Sequence, residues 1–304
     1  MEEKNQSVPA AHLQYYGLDL LKFIMALLVA TRHATQLLCS PSGWWHVVIE
    51  KYLSNLAVPV FFMISAFFFF KNGAQIKKYL LHLLKMTIIW NLVYLPLDLR
   101  TYANAGFPGF GAAARQFLKY LLFSSNTVHL WFLPALMLAV AIVYFLYKKK
   151  VPTNAIVLIG ALLFIAGTVI DNWFYNQYLP GFLQTFSGWY SSVFITARNG
   201  LFYGVFFVAL GLWFYENEGL PDVKTCLLIF VPSMILFYFE AKICRVVNMA
   251  FCSAPAAFAL TALAMKWKGT ERKPLFIFLR KSSEWIYYLH IWIISIGIFI
   301  AYGW

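Results

Sequence analysis

The stretch LDLLKFIMALLVATRHA, residues 18–34, decides the fold. With its neighbours it makes an apolar run over 17–39. A bilayer-spanning helix needs about 20 residues at 1.5 Å rise each, so the run is long enough to cross. It nevertheless carries Asp19, Lys22, Arg32 and His33. An ionisable side chain in lipid costs on the order of several kcal/mol, so each such residue points to a polar interior or to function. Lys22 and His33 are eleven positions apart. At about 100° per residue that spacing returns to within roughly 20° of the same face, about 16 Å further along the axis. Asp19 stands one turn before Lys22, placed for an i,i+3 ion pair.

The composition agrees with a membrane setting. The 304 residues are 62% hydrophobic and 12% charged, against about 45–50% and about 25% in soluble domains. A soluble domain, a disordered chain and a disulfide scaffold are excluded. Long unbroken apolar runs, rather than short alternating ones, exclude a transmembrane barrel. The expected fold is an all-α, polytopic helical bundle of about nine to ten transmembrane helices in one domain over 1–304. Nine spans are expected near 17–39, 52–70, 78–97, 129–147, 154–171, 198–215, 224–240, 246–266 and 283–302. AAARQFLKYLLFS (112–124) reads as an interfacial helix or a tilted tenth span. The segments 98–128 and 172–197 read as long external loops.

Charge between the spans sets an expected orientation. With the amino terminus cytoplasmic, the inner loops hold Lys71, Lys77, Lys78, Lys148, Lys149, Lys150, Lys224 and the cluster between Lys266 and Lys281. The outer loops hold Lys51, Arg100, Arg115, Lys119, Lys242 and Arg245. That asymmetry follows the positive-inside rule. The same pattern accounts for the net charge of +12 without nucleic acid, for which no motif is present. Cys39, Cys226, Cys244 and Cys252 lack metal-ligand spacing, and no metal or tightly bound cofactor is expected. Neither a phosphate-binding loop, an HExxH nor a GxSxG occurs.

Among the buried ionisable residues two readings stay open. A neutral imidazole at His33 can take a proton from a hydroxyl, and Lys22 can hold an anionic group of a donor. Equally, His33 can bond a backbone carbonyl while Lys22 snorkels to the interface. Arg198 is either a polar-site residue or an edge anchor. Glu240 is placed to pair with Lys242 or Arg245, His290 to act as a bonded core histidine, and His129 to form an aromatic-flanked anchor. Lys71 and Lys85, with Lys77 and Lys78, are candidates for donor phosphates or lipid head groups.

Five stretches carry a resemblance. LDLLKFIMALLVATRHA (18–34), VPVFFMISAFFFFK (58–71), LWFLPALM (130–137), RNGLFYGVFFVALG (198–211) and SSEWIYYLHI (282–291) resemble, in order, spans of the membrane acyltransferase-3 family. The family's basic residue, ten residues and His correspond to Lys22 and His33. Within the family the chain resembles the membrane domain of vancomycin-resistance serine racemases. The soluble racemase domain has no counterpart in these residues, so no pyridoxal-phosphate chemistry is implied. Lys at position 22, where most of the family has Arg, binds anions as a point charge rather than bidentately.

The resemblance implies O-acyl transfer at the cell membrane. The donor would be cytoplasmic acyl-CoA, with acetyl-CoA the expected form. The acceptor would be a hydroxyl on a cell-envelope glycan or a small molecule. His33 would be the base, Lys22 paired with Asp19 would orient the donor, and Arg198, Lys85, Lys71, Glu240 and His290 would serve substrate or donor binding. Membrane lipid is the other expected partner. The alternative is a transporter-like domain for serine or another amino acid.

Overall fold

The computed structural model describes residues 13–38, 48–104, 109, 111–112, 129–217, 220–244 and 249–302. Among these residues no strand occurs beyond an isolated bridge between Gln14 and Gly269. The chain runs as α1 (Tyr16–Leu38), a π-turn and a 3-10 turn (Val48–Tyr52, Leu53–Leu56), α2 (Ala57–Lys71) and α3 (Ile76–Asn104). Then come α4 (Phe132–Lys148), α5 (Thr153–Asp171), the single turn α6 (Trp173–Asn176) and α7 (Gly181–Phe194). A π-turn (Gly200–Gly204) leads into α8 (Val205–Glu216), followed by α9 (Val223–Cys244), α10 (Ser253–Met265) and α11 (Pro274–Tyr302).

Each of the nine expected spans falls on a helix, and the all-α membrane bundle is confirmed. Five helical stretches are long and apolar enough to cross a bilayer: Leu53–Lys71, Ile76–Arg100, Thr153–Asp171, Val223–Cys244 and Pro274–Ala301. Phe132–Lys148, Gly200–Glu216 and Ser253–Met265 are apolar but shorter. α8 and α10 are enclosed by other helices along much of their length, so protein rather than lipid covers them. By contrast α3, α5, α9 and α11 expose Leu81, Ile88, Leu92, Leu158, Leu162, Leu228, Leu236, Ile293 and Ile300. Such an apolar outer ring is what hydrocarbon solvates and water does not.

α2 is the centre, with Val60, Phe62, Met63, Ile64, Ala66 and Phe67 buried. α8 lies against it through Gly211, where an added Cβ would sit 2.5 Å from the Met63 carbonyl oxygen. Small residues let membrane helices approach this closely. Helix direction follows from aromatic contacts. Phe62 meets Phe132 and Tyr203 at one end of the bundle, and Phe70 meets Tyr147 and Tyr215 at the other. Thus α2, α4 and α8 run the same way and bring their amino-terminal ends together. α1 and α11 run the opposite way, since Tyr15 packs on Phe67 and Tyr16 on Phe276.

The segment 172–197 departs from its expected loop. It forms α6 and α7, because Asn172 accepts from the Phe174 amide and Ser187 and Tyr190 turn inward. α7 presents Phe182, Phe186 and Trp189 outward, the pattern of a helix lying at a membrane surface. The expected helix over 112–124 lies outside the described residues apart from position 112, as do Cys39 and Arg245. Cys226, Cys244 and Cys252 are free thiols.

Candidate active site

A cavity of about 230 Å³ opens where the amino-terminal ends of α2, α4 and α8 meet α1 and α11. Arg32 and His33 of α1 line it, with Ser54, Asn55, His129, Trp131, Arg198, Tyr203 and Tyr287. His33 stacks on His290, with ring centroids 5.3 Å apart and planes at 28°. His290 in turn meets His129 at 4.7 Å. Three imidazoles from α1, the start of α4 and α11 therefore form one cluster.

The hydrogen bonds fix part of its chemistry. His290 Nδ1 lies 2.8 Å from the Ile286 carbonyl oxygen. A carbonyl only accepts, so Nδ1 carries the hydrogen, and in the neutral ring Nε2 is an acceptor. His290 Nε2 and both ring nitrogens of His129 are buried without a hydrogen-bond partner among the described residues. His129 and His290 are each only 4% exposed. A buried polar atom left unpaired costs about 1–3 kcal/mol and calls for an explanation, for which a bound molecule is one candidate. Tyr287 donates its hydroxyl to the His129 carbonyl at 3.0 Å, holding that residue in place.

Two guanidinium groups share the cavity. Arg32 Nη1 donates to Asn55 Oδ1 at 2.8 Å and reaches Ser54 Oγ at 3.5 Å. Arg198 lies over the Trp131 ring, 4.7 Å from its centroid. The chain delivers Arg198 by a tight reversal after α7, where Ile195 takes φ 72°. A β-branched residue rarely adopts that conformation, so the surroundings must hold it. Asp171 Oδ1 accepts from Thr196 Oγ1 at 2.6 Å and from the Ala197 amide at 3.0 Å. Thr196 Oγ1 also accepts from the Arg198 amide, and Asn199 Oδ1 accepts from the Leu201 and Phe202 amides.

The other sequence candidates scatter. Asp19 is buried and meets Arg280 at 3.5 Å, whereas Lys22 meets Glu284 at 3.9 Å. Both charges of the expected Asp19–Lys22 pair also bridge to α11, whose residues 280 and 284 lie one turn apart on the facing stripe. Neither lines the cavity. Glu240 is buried, and of its expected basic partners Arg245 lies outside the described residues. Its carboxylate accepts from Tyr175 Oη at 3.0 Å, the Phe251 amide at 2.7 Å and the Cys252 amide at 2.9 Å. It caps the approach to α10, where the helix dipole favours negative charge. Lys242 instead lies over the Tyr238 ring. Lys71 sits over Tyr15 at the opposite end from the cavity, and Lys85 is exposed on α3. Arg198 and His290 join His33; Lys71, Lys85 and Glu240 do not.

Sequence reasoning left His129 as an anchor and did not single out Asn55, Trp131 or Tyr203. The adjacency of His129 and Trp131 at a span end was the available signal.

The chain is similar to an amino-acid racemase of Enterococcus faecalis, 26% identical over 86% of this chain and 37% of the relative. It is similar to a serine/alanine racemase of Enterococcus gallinarum, 25% identical over 92% of this chain and 41% of the relative. It therefore spans about two fifths of the length of these curated relatives. No solved structure matches. The acyltransferase-3 family, described as an acyltransferase domain, matches over residues 15–303, and the chain belongs to that family.

Proposed function

We propose that this multi-pass membrane protein is an O-acyltransferase in which His33 is the general base. The observation that carries the reading is the placement of His33 on the wall of a 230 Å³ cavity that also holds the unpartnered nitrogens of His129. The acceptor hydroxyl gives its proton to His33 as its oxygen attacks the acyl carbonyl. The new C–O bond forms, the C–S bond of an acyl thioester breaks, and the departing thiolate takes the proton back from the imidazolium. Base catalysis of this kind contributes typically about 10²–10⁴-fold.

The donor in this reading is acyl-CoA, in its acetyl form, reaching the bundle from the end that carries Lys71 and Lys148–Lys150. Lys22 and Asp19, braced by Glu284 and Arg280, stand along that approach, about 16 Å and about 21 Å from His33 along α1. The acceptor is a cell-envelope glycan or a small hydroxyl compound at the cavity end. The membrane is the cell membrane, with the amino terminus cytoplasmic, as loop charge favours.

A second reading is amino-acid transport, and the racemase names of the relatives favour it. Labelled acetyl-CoA supplied to the purified chain with envelope glycan fractions separates the two. Donor-dependent acylation supports the first reading. Serine uptake into proteoliposomes with no acylation of any acceptor supports the second and contradicts the first.

A further inference from the structure

Resting on the acyl-transfer reading, we infer that His129 is a second catalytic residue: its ring N–H donates to the acyl carbonyl oxygen and stabilises the oxyanion formed when the hydroxyl attacks. His33 and His129 are the two imidazoles among the described residues that line the cavity. They are held differently. His33 is half-buried, whereas His129 is 4% exposed and both its ring nitrogens are closed off from solvent. Neither nitrogen has a hydrogen-bond partner among the described residues. An imidazole carries one N–H when neutral, whichever tautomer it takes, and two when charged. His129 therefore always presents an N–H, and no described protein group accepts it. A side chain that is buried, borders a cavity and keeps an unused N–H is matched to an acceptor atom on a bound molecule.

The neighbours fix the ring without using that N–H. Tyr94 and Tyr287 pack edge-on against it, with centroids 5.0 and 5.5 Å away and planes at 76° and 75°. Both phenols bond elsewhere: Tyr94 donates to the Tyr288 carbonyl at 2.6 Å, and Tyr287 to the carbonyl of His129 itself at 3.0 Å. His290 closes a third side, 4.7 Å away. Its own Nδ1–H is taken by the Ile286 carbonyl, and its Nε2 is an acceptor in the neutral ring, so it cannot do the same task. An N–H set in place before reaction, in a site closed to water, needs no reorganisation as charge develops, and that is what makes oxyanion stabilisation effective. α4 begins at Phe132, so the positive end of its dipole stands beside His129 and favours the same charge.

The two rings then divide the step. The acceptor oxygen adds to the acyl carbon while its proton passes to His33. The carbonyl π pair moves onto oxygen, which accepts from the His129 N–H. As that pair returns, the C–S bond breaks and the thiolate leaves with the proton from His33. No proton is transferred at His129, so its contribution is separable from that of the base.

The test uses the full chain in nanodiscs as wild type, His129→Phe, His129→Asn and His129→Gln. Labelled acetyl-CoA and envelope glycan fractions are supplied, and kcat and the KM for acetyl-CoA are measured across pH. Phe keeps a ring among the tyrosines and removes the N–H, while Asn and Gln return an amide N–H near the positions of Nδ1 and Nε2. Removing one oxyanion-holding N–H costs about 10²–10³ in kcat. His129→Phe should lose that much in kcat with its KM little changed, and one of the two amides should recover at least about tenfold of it. An amide cannot take a proton, so recovery separates an N–H role from a base role. A further measurement needs no variant to fold: infrared spectroscopy of carbonyl-labelled acetyl-CoA bound to wild type should place the C=O stretch at lower wavenumber than in buffer. Transfer by His129→Phe at the wild-type rate overturns the inference and leaves acyl transfer standing. So does a loss that neither amide recovers, or a bound carbonyl whose stretch is unshifted. A wild-type protein that acylates no acceptor overturns the acyl-transfer reading itself.

Discussion

The two ends of α1 handle charge in opposite ways. Near its start, Asp19 and Lys22 each meet an opposite charge on α11, Arg280 and Glu284. Toward its end, Arg32 is held by an amide and a hydroxyl, and the facing Arg198 by an indole ring. The first arrangement is a complementary seam that aligns two helices. The second gathers basic residues around a cavity, with no carboxylate among its described lining residues. The lesson is that ionisable residues on one helix divide by what faces them. Those near its start align α1 with α11, and those toward its end line the cavity.

The comparison can be broken by substitution. The largest structural effect is expected from Gly200→Ala. An added Cβ would lie 2.5 Å from the Ala135 carbonyl oxygen, so the π-turn must shift and carry Arg198 off Trp131. Overpacking of this kind costs about 1–3 kcal/mol or more. Thermal unfolding and acyl transfer should both fall, whereas Gly188→Ala, which meets nothing within 4 Å, should leave both near wild type. An unchanged Gly200→Ala protein would show that the cavity does not depend on that close approach.

The seam comes next. Asp19 is 3% exposed, so Asp19→Ala leaves its partner without a buried counter-charge. Breaking a fully buried pair costs about 3–5 kcal/mol, and the 40% exposure of the Arg280 side chain reduces this to about 1–2 kcal/mol. The fall in denaturation midpoint should be independent of acceptor. Tyr287→Phe removes the bond to the His129 carbonyl, for which about 1 kcal/mol is expected. Its signature is a larger effect on transfer than on unfolding. The smallest effect belongs to Lys22 and Glu284. The Glu284 side chain is 62% exposed, so a double-mutant cycle on the pair should return less than about 1 kcal/mol. A large coupling there would mean that the seam carries more than alignment.

Much of this was legible in the sequence. The apolar runs located the helices, and the eleven-residue spacing set Lys22 and His33 on one stripe of α1. What was not legible depends on pairing between distant segments. Nothing local announces that His129 meets His290, or that Asn55 fixes Arg32. Glu240 was read against nearby basic residues, but its carboxylate is satisfied by backbone amides across the turn before α10. Asp19 was matched to Lys22 by helical spacing, and the parallel packing of α11 gives each a further opposite charge that spacing does not show. Lys71 and Lys85 have donor-like chemistry, yet they lie on other surfaces. In α7 the apolar residues face outward, which hides the helix from a reading that expects a loop.

The most direct measurement is the turnover of labelled acetyl-CoA onto acceptor by wild type, His33→Ala and Lys22→Ala in nanodiscs, with unfolding midpoints measured alongside. The account predicts that His33→Ala loses about 10²–10⁴-fold in rate with its midpoint unchanged, because base catalysis is removed. Lys22→Ala should keep a measurable rate and respond to higher donor concentration. A folded His33→Ala protein that transfers acyl groups at the wild-type rate would contradict it.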